Sequence, residues 1–217
     1  MKKIVLLLLL LLFSANYANA ESLRMHSVKR FFNIPTKQKP IQKESSEDSL
    51  TKGEQAVLFY NENNIKNAFD VLLTIKEADR TAQDWVLLGN ILQDQAKNSD
   101  AVFMYQRAIA VDPTFYKAYY NLGNIYLEEE KPYLAIENYR NANKANNKFP
   151  YAYYNLGCAY LRIGELNKAK IAFLKAVDLK NTEPNFHYNL AYTYKMLNKP
   201  KLAKQYLDNY NKLMSNN

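Results

Sequence analysis

From Trp85 onward, apolar residues return at intervals of three and four. Trp85, Leu88, Gly89 and Leu92 are answered by Tyr119, Leu122, Gly123 and Tyr126. Tyr153, Leu156, Gly157 and Tyr160 follow, then His187, Leu190, Ala191 and Tyr194. At about 100° per residue, each set falls on one stripe of a helix. A second stripe follows each first one: Ala101, Tyr105 and Ala108, then Ala135, Tyr139 and Ala142, then Ala169, Phe173 and Ala176, then Ala203, Leu207 and Tyr210. Polar residues fill most of the intervening positions. The pattern predicts four consecutive pairs of helices, each helix burying one side.

The pairs are copies of one unit. YYNLG stands at Tyr119–Gly123 and at Tyr153–Gly157, and HYNLA at His187–Ala191, so the starts 119, 153 and 187 are 34 residues apart. With Trp85 at the fourth position, the units run 82–115, 116–149, 150–183 and 184–217. Small residues at positions 8, 20 and 27 let two helices approach closely, and aromatic residues at positions 4, 11 and 24 fill the space between turns. Pro150 and Pro184 open first helices, and Pro132 and Pro200 open second helices, where a missing N–H costs least. One pair cannot bury both stripes alone, so pairs must stack.

An aromatic residue, Leu-Gly, Tyr, Ala, an aromatic, Ala and the closing Pro113 form a column set that closely resembles the tetratricopeptide repeat. The resemblance covers residues 82–217. It implies an all-α fold, a right-handed superhelical solenoid of antiparallel helix pairs. Upstream the columns weaken. A one-residue slip places Ala56, Phe59, Ala68, Leu72 and Ile75 at positions 8, 11, 20, 24 and 27, which reads residues 49–81 as a degenerate N-terminal repeat, suited to capping the stack.

The first helix of each unit has a second side. In the resembled family, positions 2, 5, 6, 9, 12 and 13 line a concave surface that holds extended peptides. Carried over, they mark a partner-binding groove of Asn90, Lys117, Tyr120, Asn121, Asn124, Tyr151, Tyr154, Asn155, Arg162, Tyr188, Asn189, Tyr192 and Lys195. Asn121, Asn155 and Asn189 share position 6, broken at Leu87 in the first unit. A carboxamide offers donors and an acceptor together, and some relatives use such an Asn ladder to read a peptide backbone. Asn at this position also suits bonds between adjacent repeats. Likewise the tyrosines either present aromatic area to a partner or pack between neighbouring helices. A carboxylate-holding mode known in the family needs cations where Tyr151 and Asn155 stand, so it is not expected.

Charge and chemistry narrow the function. Lys2 and Lys3, the apolar run 4–13 and Ala18-Asn19-Ala20 have the layout of a signal peptide over residues 1–20, with cleavage after Ala20. Export follows as the expectation, to the periplasm first and outside the cell second, in a bacterial source. Residues 21–48 read as a basic flexible arm. Arg24, Lys29, Arg30, Lys37, Lys39 and Lys43 meet no acid between 22 and 43, a composition able to touch an anionic envelope surface. Beyond residue 43 acids and bases nearly balance, so the formal net charge of +8 belongs to the leader and the arm, and nucleic-acid binding is not expected. With 2 His and 1 Cys in the chain, no metal-ligand spacing, paired cysteine, phosphate loop or nucleophile motif occurs. His187 sits in the aromatic core column. No catalytic residue, metal or cofactor is therefore expected. The reading is a non-enzymatic scaffold or assembly factor of the envelope, holding an extended segment or a helix of another protein. A secreted effector engaging host proteins and a surface binder working through the arm are the alternatives. The sequence leaves the oligomeric state undetermined.

Overall fold

The computed structural model describes residues 50–215; the expected leader, its cleavage point and the expected basic arm lie outside the described residues. From Thr51 the chain forms one all-α unit. Its helices are α1 (Lys52–Asn61), α2 (Ile65–Leu73), α3 (Ala82–Asp94), α4 (Asn98–Val111), α5 (Tyr116–Glu128), α6 (Pro132–Ala145), α7 (Pro150–Arg162), α8 (Leu166–Leu179), α9 (Pro184–Met196) and α10 (Pro200–Ser215), with a 3-10 turn at Glu77–Asp79. Consecutive helices pack as pairs, and each pair packs on the next. The first helices α3, α5, α7 and α9 also touch one another in series. This is the solenoid architecture of stacked antiparallel helix pairs.

The two stripes make the core. Ala101, Tyr105 and Ala108 of α4, Ala135, Tyr139 and Ala142 of α6, and Ala169, Phe173 and Ala176 of α8 have no exposed surface. The glycine column explains the closeness of each pair. A Cβ on Gly89, Gly123 or Gly157 would lie 2.4, 2.5 or 2.6 Å from a ring carbon of Tyr105, Tyr139 or Phe173. The ring of the second helix therefore lies directly on the backbone of the first.

The connection within each pair is also one device repeated. Asn63, Ala96, Glu130, Gly164 and Asn198 all adopt positive φ, between 55° and 74°. After each, an N–H reaches back to a carbonyl five residues earlier: Asn64 to Phe59, Lys97 to Leu92, Lys131 to Tyr126, Glu165 to Tyr160 and Lys199 to Tyr194. That bond closes the helix in a left-handed turn and satisfies a carbonyl the helix would otherwise leave unpaired. The pair α1–α2 shares this turn, and its Ala56, Ala68 and Leu72 are fully buried.

Five of the helix starts use one of two devices. Thr51 and Glu54 cap α1 reciprocally, as do Thr81 and Asp84 for α3, which pairs otherwise orphaned N–H groups. Pro132, Pro150 and Pro184 open α6, α7 and α9 without a side-chain cap.

Candidate binding surface

A line of carboxamides and phenols runs along the first helices. The Asn121 Nδ2 donates to Asn90 Oδ1 at 2.8 Å, and the Asn155 Nδ2 donates to Asn124 Oδ1 at 2.8 Å and to the Tyr120 hydroxyl at 3.2 Å. The Asn189 Nδ2 donates to the Tyr154 hydroxyl at 2.8 Å and approaches Cys158 Sγ at 3.6 Å. Each position-6 amide thus reaches back to position 9 of the preceding repeat, and those of Asn155 and Asn189 also reach the position-5 hydroxyl. From the second helix, the Tyr105 hydroxyl donates to Asn90 Oδ1 at 2.8 Å and the Tyr139 hydroxyl to Asn124 Oδ1 at 2.9 Å. Position 9 is therefore a junction where one repeat's second helix and the next repeat's first helix meet on one oxygen.

Repeat 3 varies the junction consistently. Phe173 replaces the phenol, and Cys158 replaces the carboxamide that the phenol would need. A hydroxyl buried without an acceptor is costly, so the two positions change together. Burial pushes the Tyr105, Tyr139 and Tyr154 hydroxyls well above the ordinary phenol value. All three remain protonated over the whole physiological range.

The candidate groove residues divide by environment. Asn90 is buried. Asn121, Asn124, Asn155 and Asn189 are half-buried. Tyr120, Tyr151 and Tyr154 are half-buried within a run of touching rings. Tyr120 and Tyr151 each meet Phe149, at 5.1 and 5.6 Å, and Tyr154 stacks on Phe186 at 4.8 Å. Tyr151 also donates to Glu183 at 2.8 Å and accepts from Lys180. Lys117, Arg162, Tyr188, Tyr192 and Lys195 are exposed. Arg162 lies 3.9 Å from Glu130, whose side chain is 77 % exposed, a pairing that water leaves weak.

The structure thus brings the asparagines together and commits their amide nitrogens. The carbonyl oxygens of Asn121, Asn155 and Asn189 accept no hydrogen bond from the described residues, so three acceptors remain at matching positions on successive repeats. Spacing alone did not reveal the junction at position 9. The signal was present in the pairing of Asn90 with Tyr105, Asn124 with Tyr139 and Cys158 with Phe173. His187 is 4 % exposed, stacks on Tyr206 at 6.0 Å and hydrogen-bonds through Nε2 to the Asn181 carbonyl. Among the described residues no group of His, Cys, Asp and Glu could hold a metal ion, and no helix is long and apolar enough to cross a membrane.

Comparison with known proteins places the repeat. A tetratricopeptide repeat model matches residues 116–149 and 150–183, and a second model of the same repeat matches residues 89–129. Residues 89–183 carry tetratricopeptide repeats. Among solved structures, the chain is similar to MamA (22 % identity, TM-score 0.66, covering 74 % of this chain and 95 % of that one). It also resembles a further MamA structure from AMB-1 (20 % identity, TM-score 0.65, covering 77 % and 100 %). PilF of Pseudomonas aeruginosa is similar as well (21 % identity, TM-score 0.67, covering 74 % of each chain). At these identities the likeness is one of fold. No curated protein matches the chain. Tetratricopeptide repeats build protein-binding scaffolds and are typically not catalysts.

Proposed function

We propose that the chain is an exported scaffold or assembly factor of the bacterial envelope that holds an extended segment of another protein along its first helices. The observation that carries this reading is the row of three carboxamide oxygens at Asn121, Asn155 and Asn189. Each is held in place by its own Nδ2 bond to the preceding repeat, so the acceptors are fixed before a ligand arrives. A backbone offers N–H groups whatever its side chains, and such a row accepts them without reading sequence. Lys117 and Lys195 lie at lining positions 2 and 12 of the first helices and would add contacts to acidic side chains.

Replacing Asn121, Asn155 and Asn189 together by Ala tests this. Capture of the partner from envelope extract should fall while helicity by circular dichroism stays intact at low temperature. Undiminished capture by the folded triple variant would remove the ladder.

The leader layout of residues 1–20 supports export to the periplasm, with secretion as the alternative. Fractionation of periplasm against culture medium separates an envelope factor from a secreted effector. The six cations of residues 22–43 support a second reading, contact with an anionic envelope surface. Deleting that arm and measuring sedimentation with peptidoglycan or vesicles separates it from groove binding.

A further inference from the structure

Three columns that every earlier repeat buries against its neighbour are open in the fourth. Position 24 is fully buried as Tyr105, Tyr139 and Phe173, yet Leu207 is 41 % exposed. Position 9 is buried or half-buried as Asn90, Asn124 and Cys158, yet Tyr192 is 43 % exposed. Position 5 is 3 % exposed as Val86 and half-buried as Tyr120 and Tyr154, yet Tyr188 is 47 % exposed. Met214 adds a further exposed apolar side chain on α10.

This side has a definable complement because the chain builds the same interface internally. There the occupant is a first helix whose carboxamide donates to the position-5 hydroxyl, as Asn155 donates to Tyr120 and Asn189 to Tyr154. Tyr188 offers the corresponding hydroxyl. Charge supplies the second requirement. Lys195, Lys199, Lys201, Lys204 and Lys212 stand against Asp208 alone across α9, α10 and their connection, and all five lysines are exposed. None of them forms an ion pair among the described residues. A basic rim around an apolar patch selects an acidic partner and repels a basic one.

We propose that the outer side of α9 and α10 docks an acidic amphipathic helix of a partner protein. The helix takes the place that a first helix takes between repeats, with a carboxamide on Tyr188 and apolar side chains on Leu207. This surface shares Tyr188, Tyr192 and Lys195 with the end of the groove but uses none of the Asn121, Asn155 and Asn189 oxygens, so it does not depend on a ligand held by the asparagine row. The hydroxyl and the fitted apolar column favour a helix over a lipid surface, which would need no hydrogen-bond partner.

The probe is a fluorescent, stapled helical peptide copying residues 150–162, flanked by glutamates, titrated into the full chain at low salt and followed by anisotropy. Saturable binding is expected. It should weaken about tenfold on Leu207→Glu, weaken again when the peptide's Asn155 becomes Leu, and fall further with lysine flanks or added salt. Leu207 is exposed, so L207E should melt like the parent; if it does not, Met214→Glu replaces it. Equal binding of glutamate- and lysine-flanked peptides, or affinity unmoved by L207E and M214E, overturns the proposal. Concentration-dependent dimerisation abolished by L207E would instead assign the surface to a second copy. Binding to anionic vesicles abolished by L207E, with no peptide binding, would assign it to a membrane. Either result also overturns the proposal. The triple Asn→Ala variant should bind the peptide normally, so failure here is distinguishable from failure of the groove.

Discussion

Removing the Asn124 carboxamide should destabilise the chain more than removing that of Asn90, although both are position-9 junctions. Asn124 Oδ1 is the acceptor for the Tyr139 hydroxyl, and Tyr139 is fully buried. In Asn124→Ala that hydroxyl loses this acceptor, and the Asn155 amide beside it is a donor that cannot take its proton. A buried donor left unsatisfied costs about 1–3 kcal/mol. In Asn90→Ala the Tyr105 hydroxyl already has a second acceptor, Gln93 Oε1 at 2.9 Å, and the half-buried Asn121 amide, which also loses Asn90, keeps the Tyr105 hydroxyl oxygen beside it, so the cost should stay near the ~1 kcal/mol of an ordinary hydrogen bond. Tyr139→Phe alone leaves Asn124 Oδ1 still accepting from Asn155 at 2.8 Å, again about 1 kcal/mol. The double variant Tyr139→Phe with Asn124→Ala removes both partners and should recover much of the single loss, a coupling of about 1–2 kcal/mol. Repeat 3, with Phe173 and Cys158, already resembles that double variant. Urea unfolding of the four proteins measures this, with slopes compared first, since a change in slope would signal loss of cooperative unfolding. Strictly additive costs, or Asn90→Ala matching Asn124→Ala, would refute the junction.

Other expectations follow from the same packing. Asn143 is 8 % exposed and neither of its amide atoms finds a partner among the described residues, while the matching positions hold Ile109 and Val177. Asn143→Val should therefore raise stability by about 1 kcal/mol in thermal or urea unfolding, and a loss would show an unrecognised polar partner. Gly123→Ala places a Cβ 2.5 Å from the Tyr139 ring. It should cost about 1–3 kcal/mol by overpacking, despite alanine's better helix propensity. In alkali, the Tyr105, Tyr139 and Tyr154 hydroxyls hold their protons above the ordinary phenol value in the folded chain, whereas the unfolded chain ionises near it. Stability should thus be full below about pH 10 and fall as pH rises beyond it. Absorbance at 295 nm should show these phenols ionising together with loss of helicity, and smooth ionisation at constant helicity would contradict their burial.

The helix pairs and their core columns were legible because side-chain direction in a helix follows directly from spacing. The use of each carboxamide was not. Periodicity places Asn121, Asn155 and Asn189 on one side of successive helices, but not which atom of each is spent within the protein. The tyrosine columns left the same choice open. Tyr120 and Tyr154 occupy lining positions yet pack on Phe149 and Phe186, and those partners come from the following loop and the following helix. Turns were partly visible: Gly164, Asn63 and Asn198 are residue types that accept positive φ, whereas Ala96 and Glu130 are held there by the helix-closing bond and carry no local signal.

The concave reading is tested most directly by placing a photo-crosslinking residue at Lys117 or Arg162 on the first helices, and at Phe103 or Tyr133 on the exposed second helices. Irradiation in the source cell should give a protein adduct from the first-helix sites and none from the second-helix sites. Adducts from Phe103 or Tyr133 with none from Lys117 or Arg162 would contradict the account.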